Sequence, residues 1–187
     1  MSVEPYGVLF TNGDNDTFPL WYLQEIEGVR GDVTVIVVQY LYTDWYPRQL
    51  RDRTGPDMQR PFEEEFAVDL YTQSPVPDSA ISRAPDEILN AVGSGRIPDD
   101  LQVPLGNVAV SYPSGIFLGR GHRLALSFIH DSIGQRPIYF ASAAGLLREL
   151  GLQDWGVRHG IATKLVMRDL EAEPPEGIVQ GSPEMGG

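Results

Sequence analysis

The chain has 187 residues, a hydrophobic content of 42% and a formal net charge of -12 at pH 7. This length is sufficient for one domain with a true hydrophobic core. The excess of acidic side chains would repel a phosphate backbone, so nucleic acid is not an expected partner. The absence of cysteine excludes disulfides, thiolate metal sites and cysteine nucleophiles. The sequence shows no signal peptide and no apolar stretch that would span a bilayer, so we expect the chain itself to be soluble.

The opening of the chain predicts a strand followed by a helix. The apolar run 6–11 favours a strand, and helical spacing begins at Thr17 and continues to Glu27. Asp16 or Thr17 is expected to cap the helix, because side-chain oxygens of Asp and Thr accept hydrogen bonds from the free amides of a first turn. Gly28 is expected to end the helix in a left-handed conformation. The side chains that this spacing directs towards the sheet are Phe18, Trp21, Tyr22 and Ile26.

A second strand and a second helix are predicted directly afterwards. Residues 33–41 form a nearly continuous β-branched run, which is typical of a strand buried on both faces, and residues 43–52 favour a helix. A strand, a helix and a strand within about 35 residues form a βαβ unit with a right-handed crossover and parallel strands. We therefore expect the loops after the two strands to lie side by side on one edge of the sheet.

The remainder predicts a single α/β domain over 1–168 with a Pro-rich insertion. Repeated prolines over 53–115 favour surface loop with short strand pieces and a short helix at 85–92. The later expected elements are helices at 124–133 (ended by Gly134) and 145–150, and strands at 137–142 and 160–167. Residues 169–187 are rich in Glu, Pro and Gly and predict a disordered tail. The fold class is therefore α/β, a small and mostly parallel sheet flanked by helices with a Rossmann-like βαβ start.

The two strand-end loops gather polar and aromatic residues into one candidate crevice. In an open α/β sheet, ligands bind at this edge, outside the carboxyl ends of the strands. The candidate ligand-binding residues are Asn12, Asp14, Asn15, Asp16, Trp21, Asp44, Trp45 and Tyr46. Asp is also a preferred helix cap, so capping alone is an equal explanation for Asp16 and Asp44. Asp14 and Asn12 favour binding, because one cap requires only one side chain.

Two chemistries would use the carboxylates of this crevice. A hard cation such as Mg²⁺ or Ca²⁺ would be held by Asp14, Asp16 and Asp44, since carboxylate oxygens are its preferred ligands. The run from Asp14 to Thr17 also looks like a phosphoryl-transfer loop. That chemistry needs a cation beside the phosphate, and the single lysine, Lys164, lies near the far end of the chain.

A third chemistry would use the aromatic residues. A sugar would stack on Trp21, Trp45 or Tyr46 while Asp14 and Asn12 bond its hydroxyl groups, because flat apolar faces edged by polar groups suit sugars. The histidines are scattered along the chain at His122, His130 and His159, and no Ser-His-Asp arrangement is legible. No catalytic residue is assigned from the sequence.

Several runs in this chain resemble a family of large bacterial membrane proteins of unknown function that are often labelled protein O-mannosyltransferase-like. The matching runs are Val8–Glu25, Glu27–Arg30, Asp32–Val33, Thr43–Tyr46, Arg136–Ala141, Leu150–Leu152 and Gly160–Val166. In that family a multi-helix membrane region, similar to lipid-sugar-dependent glycosyltransferases, precedes a soluble segment of this kind. The resemblance implies a membrane-associated, extracytoplasmic accessory domain that binds a glycan or peptide acceptor and does not catalyse transfer alone.

Two further functions remain open at this point. The alternative is an interaction module with no small-molecule ligand, which packs on a membrane domain and exposes an apolar patch near the Pro-rich middle. A weaker hypothesis is a stand-alone metal-dependent hydrolase. The accessory-domain hypothesis and the interaction-module hypothesis both predict a membrane-embedded glycosyltransferase-like region as the partner. The accessory-domain hypothesis also predicts a glycan or peptide acceptor.

Overall fold

A computed structural model describes residues 2–53, 92–141 and 144–167 of the chain. The helix predicted at 85–92 lies outside these ranges except for its last residue, and the tail predicted at 169–187 lies outside them completely. The elements in chain order are β1 (Val8–Thr11), α1 (Asp14–Glu25), β2 (Thr34–Val37), α2 (Trp45–Arg53), β3 (Gly95–Arg96), β4 (Leu101–Leu105), β5 (Val108–Tyr112), β6 (Phe117–Leu118), α3 (Arg120–Ser132), β7 (Ile138–Phe140), α4 (Ala144–Glu149), β8 (Gly156–His159) and β9 (Ala162–Leu165). Short 3-10 helices cover Val38–Tyr42 and Gln153–Trp155.

The main sheet is mixed and has the strand order β2-β1-β7-β9-β8. β1 runs parallel to β2 and to β7, with Val8 opposite both Thr34 and Ile138. β9 is antiparallel to β7 and to β8, so a hairpin extends the parallel half of the sheet. The α/β fold class and the parallel pairing of the first two strands are confirmed, but the sheet is parallel only over β2, β1 and β7 and is therefore not mostly parallel as predicted. β8 was not predicted, because its run Gly156–His159 is short and mostly exposed.

The two faces of the sheet carry two separate core clusters. Side chains from Val8, Phe10 and Phe140 enter the larger cluster, in which α2, α3 and α4 pack and the rings of Phe10 and Phe140 stack 5.2 Å apart. Alternate residues such as Leu9 and Tyr139 enter the smaller cluster on the opposite face, which α1 covers with Leu20 and Trp21. This alternation follows from the two-residue period of a strand.

The second strand is shorter than predicted. It ends at Val37, and the chain continues as the 3-10 helix Val38–Tyr42, in which Val38 and Leu41 are buried. This helix packs against α3, so its apolar side chains enter the core without any strand pairing. A continuous apolar run does not distinguish a strand from such a buried turn.

Part of the region predicted as surface loop belongs to the core. β4 and β5 form an antiparallel hairpin, and its Leu105, Val110 and Tyr112 are buried in the larger cluster. The hydroxyl of Tyr112 donates to the carbonyl of Leu150 at 2.7 Å, and burial raises the pKa of Tyr112 to about 12. Pro104 lies within β4, and the two-stranded sheet tolerates it because an edge strand leaves one row of amides without a strand partner.

α1 begins three residues earlier than predicted and turns a different face to the sheet. Gly13 is its N-cap with a φ of 105°, no side chain caps it, and Thr17 lies inside the helix, so the capping prediction was wrong. The predicted inward residues Phe18, Tyr22 and Ile26 are exposed, and only Trp21 packs against the core. The left-handed end at Gly28 is confirmed by its φ of 63°.

α3 likewise begins earlier than predicted, at Arg120, four residues before the predicted start, and the turn at Gly134 is as expected.

Candidate functional site

The loops after β1 and β2 meet at one edge of the sheet, as the sequence predicts. The amide of Gly13 donates to the side-chain oxygen of Gln39 at 3.1 Å, and the Gln39 amide donates to the side chain of Asn12. Thr17 strengthens the turn from inside, because its buried hydroxyl donates to the carbonyl of Gly13 at 2.8 Å and lies 2.8 Å from the hydroxyl of Thr11. These hydrogen bonds join the loops after β1 and β2, so the ends of the two strands form one continuous surface.

A row of aromatic rings crosses this edge from α1 to α2. We call Phe18, Trp21, Tyr40 and Trp45 the aromatic row. Successive ring centroids along the row are 6.2, 6.1 and 5.7 Å apart. Its ends, Phe18 and Trp45, are 51% and 52% exposed, whereas Trp21 and Tyr40 are half-buried. The row therefore exposes aromatic surface at both ends, while its centre is held by the protein.

Tyr46 supports the aromatic row from the core. Its ring lies 5.6 Å from Tyr40 and 5.4 Å from Trp45, edge-on to both, and only 3% of the residue is exposed. Its hydroxyl accepts from the amide of Val37 at 2.9 Å and donates to the carbonyl of Val35 at 3.3 Å. Tyr46 therefore positions the two neighbouring rings and presents no face of its own to a ligand.

The polar candidates separate into two places. Asn12 and Asp14 are exposed at the strand-end turn, whereas Asn15 and Asp16 line a cleft beneath α1. Asp44 is exposed before α2, with its carboxylate 3.4 Å from the guanidinium of Arg120. The guanidinium of Arg120 is itself buried and also donates to the carbonyl of Leu41, so it fixes the end of the 3-10 helix.

The three carboxylates considered for a metal do not converge. Among the described residues, no group of three or more His, Asp or Glu side chains is arranged to hold a metal ion.

The histidines lie in three different places. His122 is 3.0 Å from the carboxylate of Glu149, His130 is beside Asp131, and His159 contacts the carbonyl of Ser2.

Arg30 and Asp32 form a clamp at the opposite edge of the sheet. Nε and Nη2 of Arg30 donate to the carboxylate of Asp32 at 2.8 and 3.0 Å, Nη1 donates to the carbonyl of Val3, and Nη2 also donates to that of Glu4. Burial acts to raise the pKa of Asp32, but the hydrogen bonds from Arg30 and from the amide of Tyr6 outweigh it and hold the pKa below its usual range. The clamp ties the first residues of the chain to the start of β2.

A second charged contact secures the same N-terminal segment. Glu4 pairs with Lys164 at 2.6 Å, and the hydrogen bond from Lys164 lowers the pKa of the Glu4 carboxyl. Beneath this pair lies Tyr139, which is fully buried, and burial raises its pKa to about 12. These groups form a structural cover over β7.

Three features of the site were not predicted from the sequence, namely Gln39, Tyr40 and the cleft beneath α1. Gln39 and Tyr40 were assigned to the interior of a strand, although they belong to the 3-10 helix that follows it. The cleft beneath α1, of about 300 Å³, was also missed. The sequence signal for this cleft was the small size of Ala141 and Ala162, which stand among larger apolar residues. Only the tertiary structure places both residues beside α1.

Together, the fold and the site define a mixed α/β domain with an aromatic surface at the carboxyl ends of its parallel strands. A family model described as TMEM260-associated domain 2 matches residues 1–75, and this stretch contains β1, α1, β2 and α2. The matched domain is one of unknown function linked to a membrane protein family. Neither a curated protein nor a solved structure matches the chain. In the described part of the chain, every helix is too short or too polar to cross a bilayer.

Proposed function

We propose that this chain is an accessory domain of a membrane glycosyltransferase-like protein and that it binds a glycan acceptor on the aromatic row. The carrying observation is the unbroken sequence of rings from Phe18 through Trp21 and Tyr40 to Trp45. The C–H faces of sugar rings pack on aromatic faces, and several rings in line suit an extended chain of sugars better than a single small metabolite.

Polar groups beside the row supply hydrogen bonds for sugar hydroxyls. Asn12 and Gln39 bond to each other at the strand-end turn, and Asp14 and Asp44 are exposed on either side of it. The hydroxyl groups of a glycan can donate hydrogen bonds to these oxygens, whereas the carboxylates would repel an anionic ligand. The match to TMEM260-associated domain 2 includes this entire surface and supports a membrane-linked setting for the domain, which we propose to be extracytoplasmic.

Replacement of Trp45 tests this proposal directly. The isolated chain is titrated with a panel of neutral oligosaccharides by calorimetry, alongside Trp45→Ala. Because Trp45 is half-exposed, the variant should stay folded and lose about tenfold in affinity with the stacking surface. Phe117→Ala is the matched control, since Phe117 is 59% exposed on β6 and outside the row. The absence of saturable binding, or equal losses in both variants, would overturn the proposal.

A second candidate function has its own observation, an exposed apolar stripe on the outer side of α1. Phe18, Tyr22 and Ile26 follow helical spacing and are 51%, 56% and 69% exposed. Acidic residues flank the stripe, among them Asp14, Glu25 and Glu27, and α1 carries no basic residue in its last turn. This surface fits a protein partner with an apolar face bordered by basic side chains, and the chain would then act as an interaction module.

The second candidate is tested by charge substitution in the outer stripe. Tyr22→Glu combined with Ile26→Asp should abolish co-purification with the membrane-embedded partner and leave oligosaccharide binding at Trp45 unchanged. Loss of both activities would indicate unfolding, which circular dichroism detects. Retained co-purification with a folded double variant would refute the interaction module.

A further inference from the structure

The cleft beneath α1 is a second cavity that the aromatic row does not use. It has a volume of about 300 Å³, at the lower end of the range for small-molecule sites. Its floor is the sheet face that carries Leu9, Val33 and Val35, and its roof is the inner side of α1 with Leu20 and Leu23. The cleft therefore lies between two apolar walls.

The cleft exists because its outer side is built from small side chains. Ala141, after β7, and Ala162, in β9, stand where larger residues would fill the space. Among the described elements, α1 is the helix that packs on the smaller cluster, and it covers the β1 and β2 side of that face. The Glu4–Lys164 pair covers Tyr139 of β7, and the cleft lies beside α1, next to Ala141 and Ala162.

The lips of the cleft are apolar and face water. Ile161, in the turn between β8 and β9, is 80% exposed, and Val29 on the opposite lip is 43% exposed. A ligand that enters the cleft would cover both side chains and remove apolar area from water, which is favourable at about 25 cal/mol per Å². The lips thus indicate an occupant with an apolar body.

The polar groups of the cleft limit the chemistry of the polar end of the ligand. Arg30 is committed to Asp32 and to two backbone carbonyls, and the amide nitrogen of Gln24 donates to the carbonyls of Arg30 and Val33. The opposite end of the cleft carries Asn15 and Asp16, which bring an amide oxygen and a negative charge. Among the described residues that line the cleft, Arg30 is the single cation, so a carboxylate or phosphate at the opposite end would meet the negative charge of Asp16, whereas a hydroxyl or an ammonium group would meet acceptors.

We propose that this cleft binds a small amphipathic molecule. Its aliphatic or ring body lies between α1 and the sheet, and its hydrogen-bond-donating end reaches Asn15 and Asp16. This site is independent of the glycan proposal, because the residues that line it do not include any member of the aromatic row.

Matched alkyl probes test the chemistry of the site. The full chain is titrated with octylamine, octan-1-ol and octanoate, with butylamine as a probe of the same charge and a shorter body. We expect saturable binding of octylamine and octan-1-ol, and at least about tenfold weaker binding of octanoate and butylamine. Equal binding of butylamine and octylamine would show attraction to the acidic surface alone, and preference for octanoate would contradict the assigned polarity; either result overturns the proposal.

Two substitutions locate the binding. Ala141→Leu fills the cleft and should lower the affinity for octan-1-ol about tenfold, and Ile161→Asp should lower it severalfold by making one lip polar. Ile26→Asp is the matched control, because it makes the same change at a residue that is 69% exposed and outside the cleft. Since Ile161 is on the surface, its variant remains informative even if Ala141→Leu fails to fold. Equal affinities for Ile161→Asp and Ile26→Asp would place the probe elsewhere and refute the site.

Discussion

At the scale of single residues, the Arg30–Asp32 clamp shows how a strained backbone is held in place. Arg30 has a φ of 57°, in the left-handed region that non-glycine residues rarely adopt. Such a conformation costs about 1–2 kcal/mol, and the four hydrogen bonds of its guanidinium offset that cost. The conformation brings the side chain back over the first residues of the chain.

Asp32→Asn is expected to reduce the free energy of unfolding by about 1–3 kcal/mol at pH 7, because Arg30 loses its charge-assisted partner. The pKa of Asp32 is lowered in the folded state, so its stabilisation is present above the usual value of 3.8 and is lost as the pH falls through the lower folded-state pKa. Urea unfolding at pH 7 and at successively lower pH measures both effects. A variant that keeps the acid sensitivity of the wild type would contradict this assignment.

Gly121 shows a second constraint at the residue scale, this time steric. A Cβ at this position in α3 would overlap the ring of Tyr42, whose Cδ2 would be 2.7 Å away. Gly121→Ala should therefore destabilise the fold by about 1–3 kcal/mol. Tyr42→Ala in the same background should recover most of that loss, and a double-mutant cycle by urea unfolding measures the coupling. Additive effects would show that the ring is not the obstacle.

At the scale of elements, α1 is apolar on two sides. Its inner side carries Leu20 and Trp21 against the smaller cluster, and its outer side carries Phe18, Tyr22 and Ile26 in water. The inner side also includes Thr17, so both sides follow helical spacing. The period predicted the helix correctly, but three of the four side chains predicted to face the sheet are exposed. The choice of face follows from Thr17, whose hydroxyl contacts Thr11 and Gly13 and sets the rotation of the helix on the sheet.

A pair of substitutions on α1 checks this orientation. Leu20→Ala should lower the stability by about 1–2 kcal/mol, because a half-buried side chain leaves the smaller cluster. Phe18→Ala should change it by less than about 0.5 kcal/mol, because the ring is half-exposed on the outer side. Urea midpoints at constant slope report both values. The reverse order of the two effects would mean that the helix is rotated.

The β4–β5 hairpin provides another test at this scale. Leu105→Ala should lower the stability by about 2–5 kcal/mol, because Leu105 is fully buried in the larger cluster. Leu101→Ala, in the same strand but 39% exposed, should lower it by less than about 1 kcal/mol. Thermal and urea unfolding of the two variants distinguish a core hairpin from a surface loop, and equal small losses would favour the loop.

At the scale of the whole molecule, the described part of the stretch matched by the family model depends on contacts with later residues of the chain. β1 lies inside residues 1–75, but it pairs on one side with β7, and Arg136 donates to the carbonyl of Tyr6 and to Thr34. The larger cluster also needs α3 and the β4–β5 hairpin. The geometry of the strand-end edge thus depends on residues far along the chain.

A fragment of residues 1–75 is therefore expected to lack a cooperative unfolding transition, because β1 and the aromatic row lose their support from β7 and α3. Far-UV circular dichroism and hydrogen exchange of the fragment, compared with the full chain, measure this. A fragment that unfolds cooperatively and still binds oligosaccharides would show that the remainder is dispensable.

The sequence is sufficient to predict the order of the first four elements, the parallel pairing of β1 with β2 and the meeting of their loops. Each of these follows from local patterns, namely the apolar run before Asn12, the turn at Gly28 and the short strand–helix–strand connection, which favours parallel pairing. The candidate residues Trp21 and Trp45 come together for the same reason.

Contacts between distant residues determine which side of an element is buried, and these contacts could not be predicted from the sequence. The outer stripe of α1, the burial of Tyr46, the core position of Leu105 and the antiparallel β8–β9 hairpin depend on contacts between residues far apart in the chain. Periodicity reports that a segment has an apolar side, whereas burial depends on what packs against that side. The cleft beneath α1 arises in the same way, from small residues that only the completed sheet places beside the helix.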